Sequence, residues 1–341
     1  MTDYQQPLVS VVTPVYNGEP YLAECIESVL KQTYRNFEYI ILDNASTDDT
    51  PATIARYAAT DKRIRAYRNE KLIDVISNHN KAFGLISAEA TYCKVVSGDD
   101  WIFPECISKM VSLAEANPSV SIVGTYQLSG RRILWQGFDY PKAVFSGREI
   151  CRRIFMEGEK TFGFGSPTSL LYRADIVRKS KAFYPNLSPH SDTSACFEHL
   201  RNSSYGFVYE ILSFERTHEA TQSARSILVN RYSSAYLNDV IQYGPFYLNS
   251  EEHKELLDRQ LDGYHHFLAT VYFTRSGDKS FWDYHKGRLA ELGHPLKRSA
   301  LIKAGLATVL REISNPGRAL IKLRNRTSPR RNAYPQSSTA L

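Results

Sequence analysis

Residues 8–49 read LVSVVTPVYNGEPYLAECIESVLKQTYRNFEYIILDNASTDD, and this stretch decides the fold. Leu8–Thr13 is a short, largely apolar run stopped by Pro14, the pattern of a buried strand. Glu19–Lys31 follows with Leu22, Ile26, Val29 and Leu30 at helical spacing. Phe37–Leu42 is a second apolar run, closed by the turn-formers Asp43-Asn44-Ala45-Ser46-Thr47. Asp48 or Asp49 then caps a helix through Tyr57, with Pro51 in its first turn, where a missing N–H costs nothing. Strand, helix, strand and helix in that order predict parallel pairing with helices on both faces.

The alternation continues outward. Ile64–Tyr67 reads as a weaker strand, Asp74–Ser87 as a helix, Tyr92–Val96 as a strand, Pro104–Ala116 as a helix and Val120–Val123 as a strand. Gln127–Ala224 is irregular and rich in Gly, Pro and aromatic residues. From about Ser226 the pattern turns helical: Ser250 is expected to cap a long helix through Phe273, with Glu251 and Glu252 in its first turn. A last amphipathic stretch sets Ile302, Leu306, Val309, Leu310 and Ile313 on one face before Asn315-Pro316-Gly317 breaks it.

Composition narrows the classes. With 341 residues, 43% hydrophobic and 23% charged, the chain can bury a sizeable core, and wholesale disorder is excluded. The net charge of +6 sits entirely in the last 31 residues, which hold seven basic residues and one acid; residues 1–310 balance to zero. A nucleic-acid protein carries its charge on the folded surface instead, so no nucleic-acid partner is expected. Five scattered cysteines without a CxxC suit free thiols in a reducing compartment. The N-terminus lacks a signal-peptide pattern and no apolar run is long enough to span a bilayer, so the expected address is cytoplasmic.

In sheets of this kind ligands bind beyond the carboxyl ends of the strands. Three polar clusters fall there: Thr13–Asn17, Asp43–Asp49 and Ser97–Asp100. Neither the GxGxxG turn of a dinucleotide-binding fold nor the GxxxxGK[ST] of a P-loop occurs. Asp99 and Asp100 are adjacent carboxylates after a buried strand, and they repel each other unless a cation or a hydrogen-bonded ligand is present. Hard oxygen ligands suit Mg²⁺ or Mn²⁺, which bind substrate phosphates through one or two protein carboxylates. An exposed Asp-Asp turn is the plain alternative.

Four ordered motifs carry a resemblance. They are Val11-Val12-Thr13-Pro14-Val15-Tyr16-Asn17, Ile26–Tyr34, Glu38–Thr50 and Ser97-Gly98-Asp99-Asp100. Together they make residues 8–124 resemble the nucleotide-sugar half of a family 2, GT-A type, inverting glycosyltransferase. Weaker similarity runs on through Gly165-Ser166-Pro167-Thr168, Ser191-Asp192 and Phe214–His218. The resemblance implies an α/β fold: a GT-A-like, Rossmann-type, mostly parallel sheet flanked by helices, with a C-terminal helical extension. It implies a donor half over residues 1–125 and an acceptor half with the base over 126–225. A helical region over 226–317 and a basic tail over 318–341 complete the division.

The resemblance also implies roles. Thr13, Pro14, Tyr16 and Asn17 of the first loop, with Asp43, would embrace the nucleoside. Asp99 would lie near the ribose or the metal, and Asp100 would hold a Mn²⁺ or Mg²⁺ ion on the donor diphosphate. Arg216 would neutralise the diphosphate, and His218 would be a further metal or phosphate contact. Inverting transfer needs a carboxylate that takes the acceptor's proton; the resemblance points to Asp192, whose other reading is a helix cap. Two departures stand out: Asn44 replaces a more usual Asp, and Leu72–Asn80 lacks the usual glycine and arginine.

Trp135, Tyr140, Phe162 and Phe164 fall in the acceptor region, although core packing explains most aromatic residues. The implied acceptor is a glycan or lipid-linked glycan hydroxyl, in cell-surface polysaccharide synthesis. The basic C-terminus and the amphipathic stretch before it suit a peripheral membrane contact, or equally a solvated packing helix. An inactive glycan- or nucleotide-sugar-binding module is the alternative, and a nucleotidyltransferase a more distant one.

Overall fold

The computed structural model describes residues 6–158, 163–218 and 231–313. Phe162, the breaker at 315–317 and the basic stretch 318–341 lie outside them. Two compact units form, Met1–Leu257 and Asp258–Leu341.

The first unit is built on one sheet. Its strands are β1 (Val9–Val15), β2 (Phe37–Asp43), β3 (Ile64–Arg68), β4 (Tyr92–Val95), β5 (Trp101–Ile102), β6 (Val120–Ser129), β7 (Arg132–Leu134), β8 (Val144–Ser146), β9 (Leu170–Arg173) and β10 (Ser204–Glu215). The order is β3-β2-β1-β4-β9-β6-β10-β5, with β7 on β6 and β8 on β10. Neighbours from β3 to β4 pair in parallel, as do β6 and β10. The short β9 runs antiparallel between β4 and β6 and splices the two parallel blocks. The sheet is therefore mixed and mostly parallel.

Side chains alternate between two cores, as the period of two requires. Val9, Val11, Tyr39 and Ile41 face one core, which also receives Leu22, Cys25, Ile26 and Val29 of α1 (Glu19–Leu30) and Ile107, Met110 and Val111 of α4 (Cys106–Ala116). The short α2 (Thr50–Thr60) adds Ile54. Val12, Ile40, Leu42 and Val95 face the other core. It takes Ala82 and Phe83 of α3 (Val75–Phe83), with Ile150, Ile154 and Phe155 of α5 (Gly147–Glu157) and Val177 of α6 (Ala174–Lys179). Ala195, Cys196 and Phe197 of α7 (Ser191–His199) and Val240 and Tyr243 of α8 (Arg231–Tyr247) close it. Each such aliphatic side chain contributes about 1.5–3 kcal/mol by leaving water.

Pro14 lies in a central strand, a position that normally excludes proline. β1 pairs with β4 only over Val9–Val12, so it runs past its neighbour and Pro14 faces the gap. The missing N–H forfeits no ladder bond there. The same gap opens the carboxyl edge where the polar loops gather.

Several expectations are corrected. Residues 127–224, irregular by composition, contain β7, β8, α5, β9, α6, α7 and all of β10. β6 runs ten residues, well past Val123. α9 (Ser250–Thr274) is capped by Asn249 rather than Ser250: Asn249 Oδ1 accepts from Glu252 N at 2.9 Å, and Glu252 Oε2 accepts from Asn249 N at 3.1 Å. All five cysteines are free and buried, as their spacing implies.

The unit division falls within α9, after Leu257, and the second unit continues with α10 (Lys279–Glu291) and α11 (Arg298–Ile313). Leu301 and Ala304 are buried, whereas Ile302, Leu306 and Leu310 are 53%, 60% and 65% exposed. The expected apolar face of this helix points outward; of Val309 and Ile313 only the backbone is described. Among the described residues no helix is long and apolar enough to cross a membrane.

Candidate active site

The loops after β1 and β2 are stitched into one rim. Asn17, in the left-handed region at φ 48°, donates its N–H to Ser46 Oγ (2.9 Å) and accepts from Thr47 N through Oδ1 (2.9 Å). Gly18 N donates to Thr50 Oγ1 and Glu19 N to Asp48 Oδ2, so the β2–α2 loop caps the start of α1. Asp43 is buried at the end of β2, accepting from Ser46 N (3.0 Å) and paired with Arg68 at 2.7 Å. Tyr16 stands exposed beside this rim.

Thr13 and Pro14 lie a layer deeper than the resemblance implies. The Thr13 hydroxyl donates to Val96 O at 2.8 Å and meets Tyr39 Oη at 3.0 Å. The polar side-chain group of Thr13 is thus used inside the sheet, where it fixes the start of the loop.

The departure at Asn44 has a local cause. Its Oδ1 accepts from Ile73 N and Asn69 Nδ2, and its Nδ2 donates to Ile73 O at 2.8 Å. A carboxylate cannot make that donation. The amide thereby pins the 69–74 segment, which Lys81 and Asn78 secure further through Asn69.

The acidic pair is clamped from three directions. Gly98 permits the close approach of this turn to β1, since a Cβ there would lie 2.9 Å from Val15 Cγ2. Asp100 is buried; Thr168 Oγ1 donates to its Oδ2 at 2.6 Å and Arg216 N to its Oδ1 at 2.9 Å. Burial first, and the neighbouring Asp99 charge second, push its carboxyl well above the ordinary range. Asp99 is partly exposed and meets His218 Nε2 at 3.1 Å. Arg216 donates Nε to Asp99 O (3.1 Å), pairs with Glu24, and lies over the Tyr21 ring with Cζ 4.6 Å from its centre.

A divalent cation fits this donor set. Among the described residues, the buried Asp100 carboxylate accepts from one hydroxyl and one backbone N–H, with a second carboxylate beside it. Among the described residues no three Asp, Glu, His or Cys side chains form a closed cage. That suits an ion taking most of its ligands from phosphate and water. His218 faces Asp99 and not Asp100.

Thr168 itself is set by Lys94. This lysine is fully buried in β4 and donates to Thr168 O, inside the short turn at Pro167–Ser169, and to Leu170 O just after it at 3.0 Å. Burial lowers its pKa.

Asp192 is the second residue of α7, and His190 occupies the capping position, so Asp192 is not the cap. Its Oδ1 accepts from Thr193 N at 2.8 Å. Burial pushes its carboxyl up to about 6, the Thr193 N–H and the His190 charge act against that, and Asp239 adds to it. Glu215, at the end of β10, is also pushed up, by burial and then by Asp99 and Asp192. The acidic pair and Asp192 thus both lie within electrostatic reach of one carboxylate.

Of the expected aromatics, Phe164 is core, Trp135 is partly buried and donates to Gln127 Oε1 at 3.1 Å, and Tyr140 is 79% exposed. Thr168, Lys94, Glu215 and Arg68 are the site residues that the sequence did not single out. Only Thr168 and Glu215 carried a signal, as members of the weaker motifs Gly165–Thr168 and Phe214–His218.

A family profile described as glycosyl transferase family 2 matches residues 10–180, half of the chain. The chain belongs to glycosyltransferase family 2. It is 27% identical over 236 residues to an uncharacterised glycosyltransferase of Haemophilus influenzae, covering 67% of this chain and 85% of that one. It is 32% identical over 119 residues to the glycosyltransferase GlyG of Streptococcus pneumoniae, covering 35% and 39%. Against another Haemophilus influenzae glycosyltransferase, 35% identical, the match spans about a third of that protein's length, 36%. Among solved structures, S. aureus TarS 1-349 in complex with UDP-GlcNAc superposes with a TM-score of 0.62 at 16% identity, over 83% of this chain and 80% of that one. The Pyrobaculum calidifontis mannosyltransferase PcManGT, in complex with GDP-Man and Mn²⁺, gives 0.56 at 13% identity, over 94% and 85%. These two likenesses establish the GT-A-like fold.

Proposed function

We propose that this enzyme moves one sugar, with inversion and with metal assistance, from a nucleoside diphosphate donor to a hydroxyl of a glycan or lipid-linked glycan in cell-surface polysaccharide synthesis. The observation that supports this reading is the buried, hydrogen-bonded Asp100 beside Asp99, a donor-side acidic pair, with Asp192 as a separate candidate base within electrostatic reach of the same carboxylate, Glu215. Tyr16 would offer its ring to the base, Asp43 and Asn17 would shape the nucleoside rim, and Arg216 and His218 would meet the diphosphate. Asp100, with Asp99 beside it, would hold Mn²⁺ or Mg²⁺. The ion when bound supplies Lewis-acid stabilisation of the charge that develops on the diphosphate.

The acceptor oxygen attacks the anomeric carbon on the face opposite the diphosphate, and its proton passes to Asp192. The anomeric C–O bond breaks with its electron pair going to the diphosphate. The test is thermal-shift binding of UDP-, GDP- and dTDP-linked sugars with and without Mn²⁺. A donor that binds only the folded protein raises its stability by RT ln(1 + [L]/Kd), so one nucleotide class is expected to stand out, and only with metal. A folded protein that responds to none of them would overturn the reading in favour of a glycan-binding module.

A membrane contact of the second unit is favoured by the stripe Ile302, Leu306 and Leu310 on α11, exposed beside Lys297, Arg298 and Lys303. Apolar residues flanked by cations suit an anionic bilayer. The full chain is expected to sediment with phosphatidylglycerol vesicles, less so at high salt, and not with phosphatidylcholine vesicles. Leu306→Glu with Leu310→Glu should abolish sedimentation while leaving the melting temperature within a few degrees; undiminished sedimentation rejects the contact.

A further inference from the structure

Asp239 is a carboxylate with no place in the chemistry so far. It lies in the middle of α8 and is fully buried. Its Oδ1 accepts from Ser194 Oγ at 2.5 Å and its Oδ2 meets His190 Nδ1 at 3.2 Å. Both partners belong to the turn that carries Asp192: His190 caps α7 and its carbonyl accepts from Ser194 N at 2.7 Å. His190 is itself buried, with the rings of Tyr232 and Tyr236 at 5.2 and 6.4 Å. A buried carboxylate is costly unless a hydrogen-bonded cation neutralises it, and a carboxylate at this distance favours the charged form of an imidazole.

We propose that Asp239 holds His190 as an imidazolium, and that this buried pair keeps Asp192 ionised and oriented as the base. His190 and Asp239 are then positioning residues, the second contributed by a helix that follows the GT-A sheet in sequence. The inference rests on reading Asp192 as the base. An amide at 239 would serve Ser194 equally well, so packing alone does not call for the charge. Among the described residues, Tyr172 on β9, Tyr184 before α7 and Cys196 on α7 are buried and held neutral beside Asp192, while Asp239 on α8 and Glu215 on β10 are the carboxylates that oppose its ionisation. His190 is the cation that relieves them.

The test needs no substrate. Histidine Cε1–H resonances and ¹³C-labelled aspartate carboxyls are titrated in the whole protein, with His190 and Asp192 assigned by the signals lost in His190→Asn and Asp192→Asn. His190 is expected to stay protonated through pH 7 and to lose its proton about one unit lower in Asp239→Asn. The Asp192 midpoint should rise about one unit in His190→Asn, cutting the ionised fraction about tenfold below that midpoint. It should fall back in the His190→Asn/Asp239→Asn double variant. His190→Gln repeats the measurement should His190→Asn fold poorly.

A merely structural pair would lower melting temperatures and leave the Asp192 midpoint where it was. That result, or a neutral His190 at pH 7, overturns the inference. Turnover of the donor panel separates the two readings. An active Asp192→Asn removes the base and leaves the coupling standing, whereas an inactive one with an unmoved Asp192 midpoint removes only the coupling.

Discussion

Asparagine in place of Asp100 is expected to give a protein that melts no lower than the native one yet releases nucleoside diphosphate on the order of 10³-fold more slowly. The two halves of this result have one cause. Asp100 is held by Thr168 Oγ1 and Arg216 N, and an amide satisfies both, its oxygen facing the N–H and its nitrogen the hydroxyl. What the substitution removes is a charge that burial and Asp99 make costly in the free protein. The sign follows from linkage. A carboxyl whose folded pKa is raised binds more protons in the native state, so it subtracts stability as pH rises above the ordinary carboxylate range. The neutral amide carries no such cost. The same charge is the one that a cation on the donor diphosphate would need. Wild-type protein should therefore gain stability from Mn²⁺ with nucleotide, and Asp100→Asn should gain none. Turnover within tenfold of wild type would remove the acidic pair from the diphosphate site.

The parts of this molecule that could be read from the sequence are those set by local patterns. β1, α1, β2, α2 and β3 fall within a few residues of expectation, because apolar runs and helical spacing fix them before any tertiary contact forms. α5 carried a legible start, Ser146 with Glu149 three residues on, and the structure has Ser146 Oγ accepting from Glu149 N at 3.2 Å. It was hidden by the Gly- and aromatic-rich composition around it. β9 gave no warning of its direction, since four residues between two blocks are oriented by their neighbours.

The site divides in the same way. Asp99 and Asp100 are adjacent in the chain and announce themselves. The Lys94–Thr168–Asp100 chain joins β4 to a turn more than seventy residues away, and Asp239 meets His190 from a different helix. Such contacts have no periodicity. Asn44 reads as a departure in sequence, whereas in space its amide is the group that both donates to and accepts from Ile73.

Asp192→Asn separates chemistry from binding. The donor-side groups lie in other segments, so nucleotide-sugar binding should be unchanged while transfer falls by about 10²–10⁴, the usual contribution of a general base. The cost to the fold should be small, because His190 and not Asp192 caps α7. At most the helix terminus loses about 0.3–1 kcal/mol of favourable charge. The wild-type rate should carry the titration of this group. Burial, opposed by the Thr193 N–H and the His190 charge, leaves the carboxyl at about 6. A base acts only when ionised, so kcat should fall as pH drops below that value and level off above it. Stability runs the opposite way: the raised pKa makes the free protein lose stability as pH rises from the ordinary carboxylate range towards 6. A structural Asp192 predicts the reverse, a variant that melts early and loses activity only to the extent that it unfolds. If Asp192→Asn binds donor, melts with the wild type and still transfers sugar at near-normal rate, the proton goes elsewhere, and Glu215, the other carboxylate pushed upward beside the acidic pair, takes its place as the group to change.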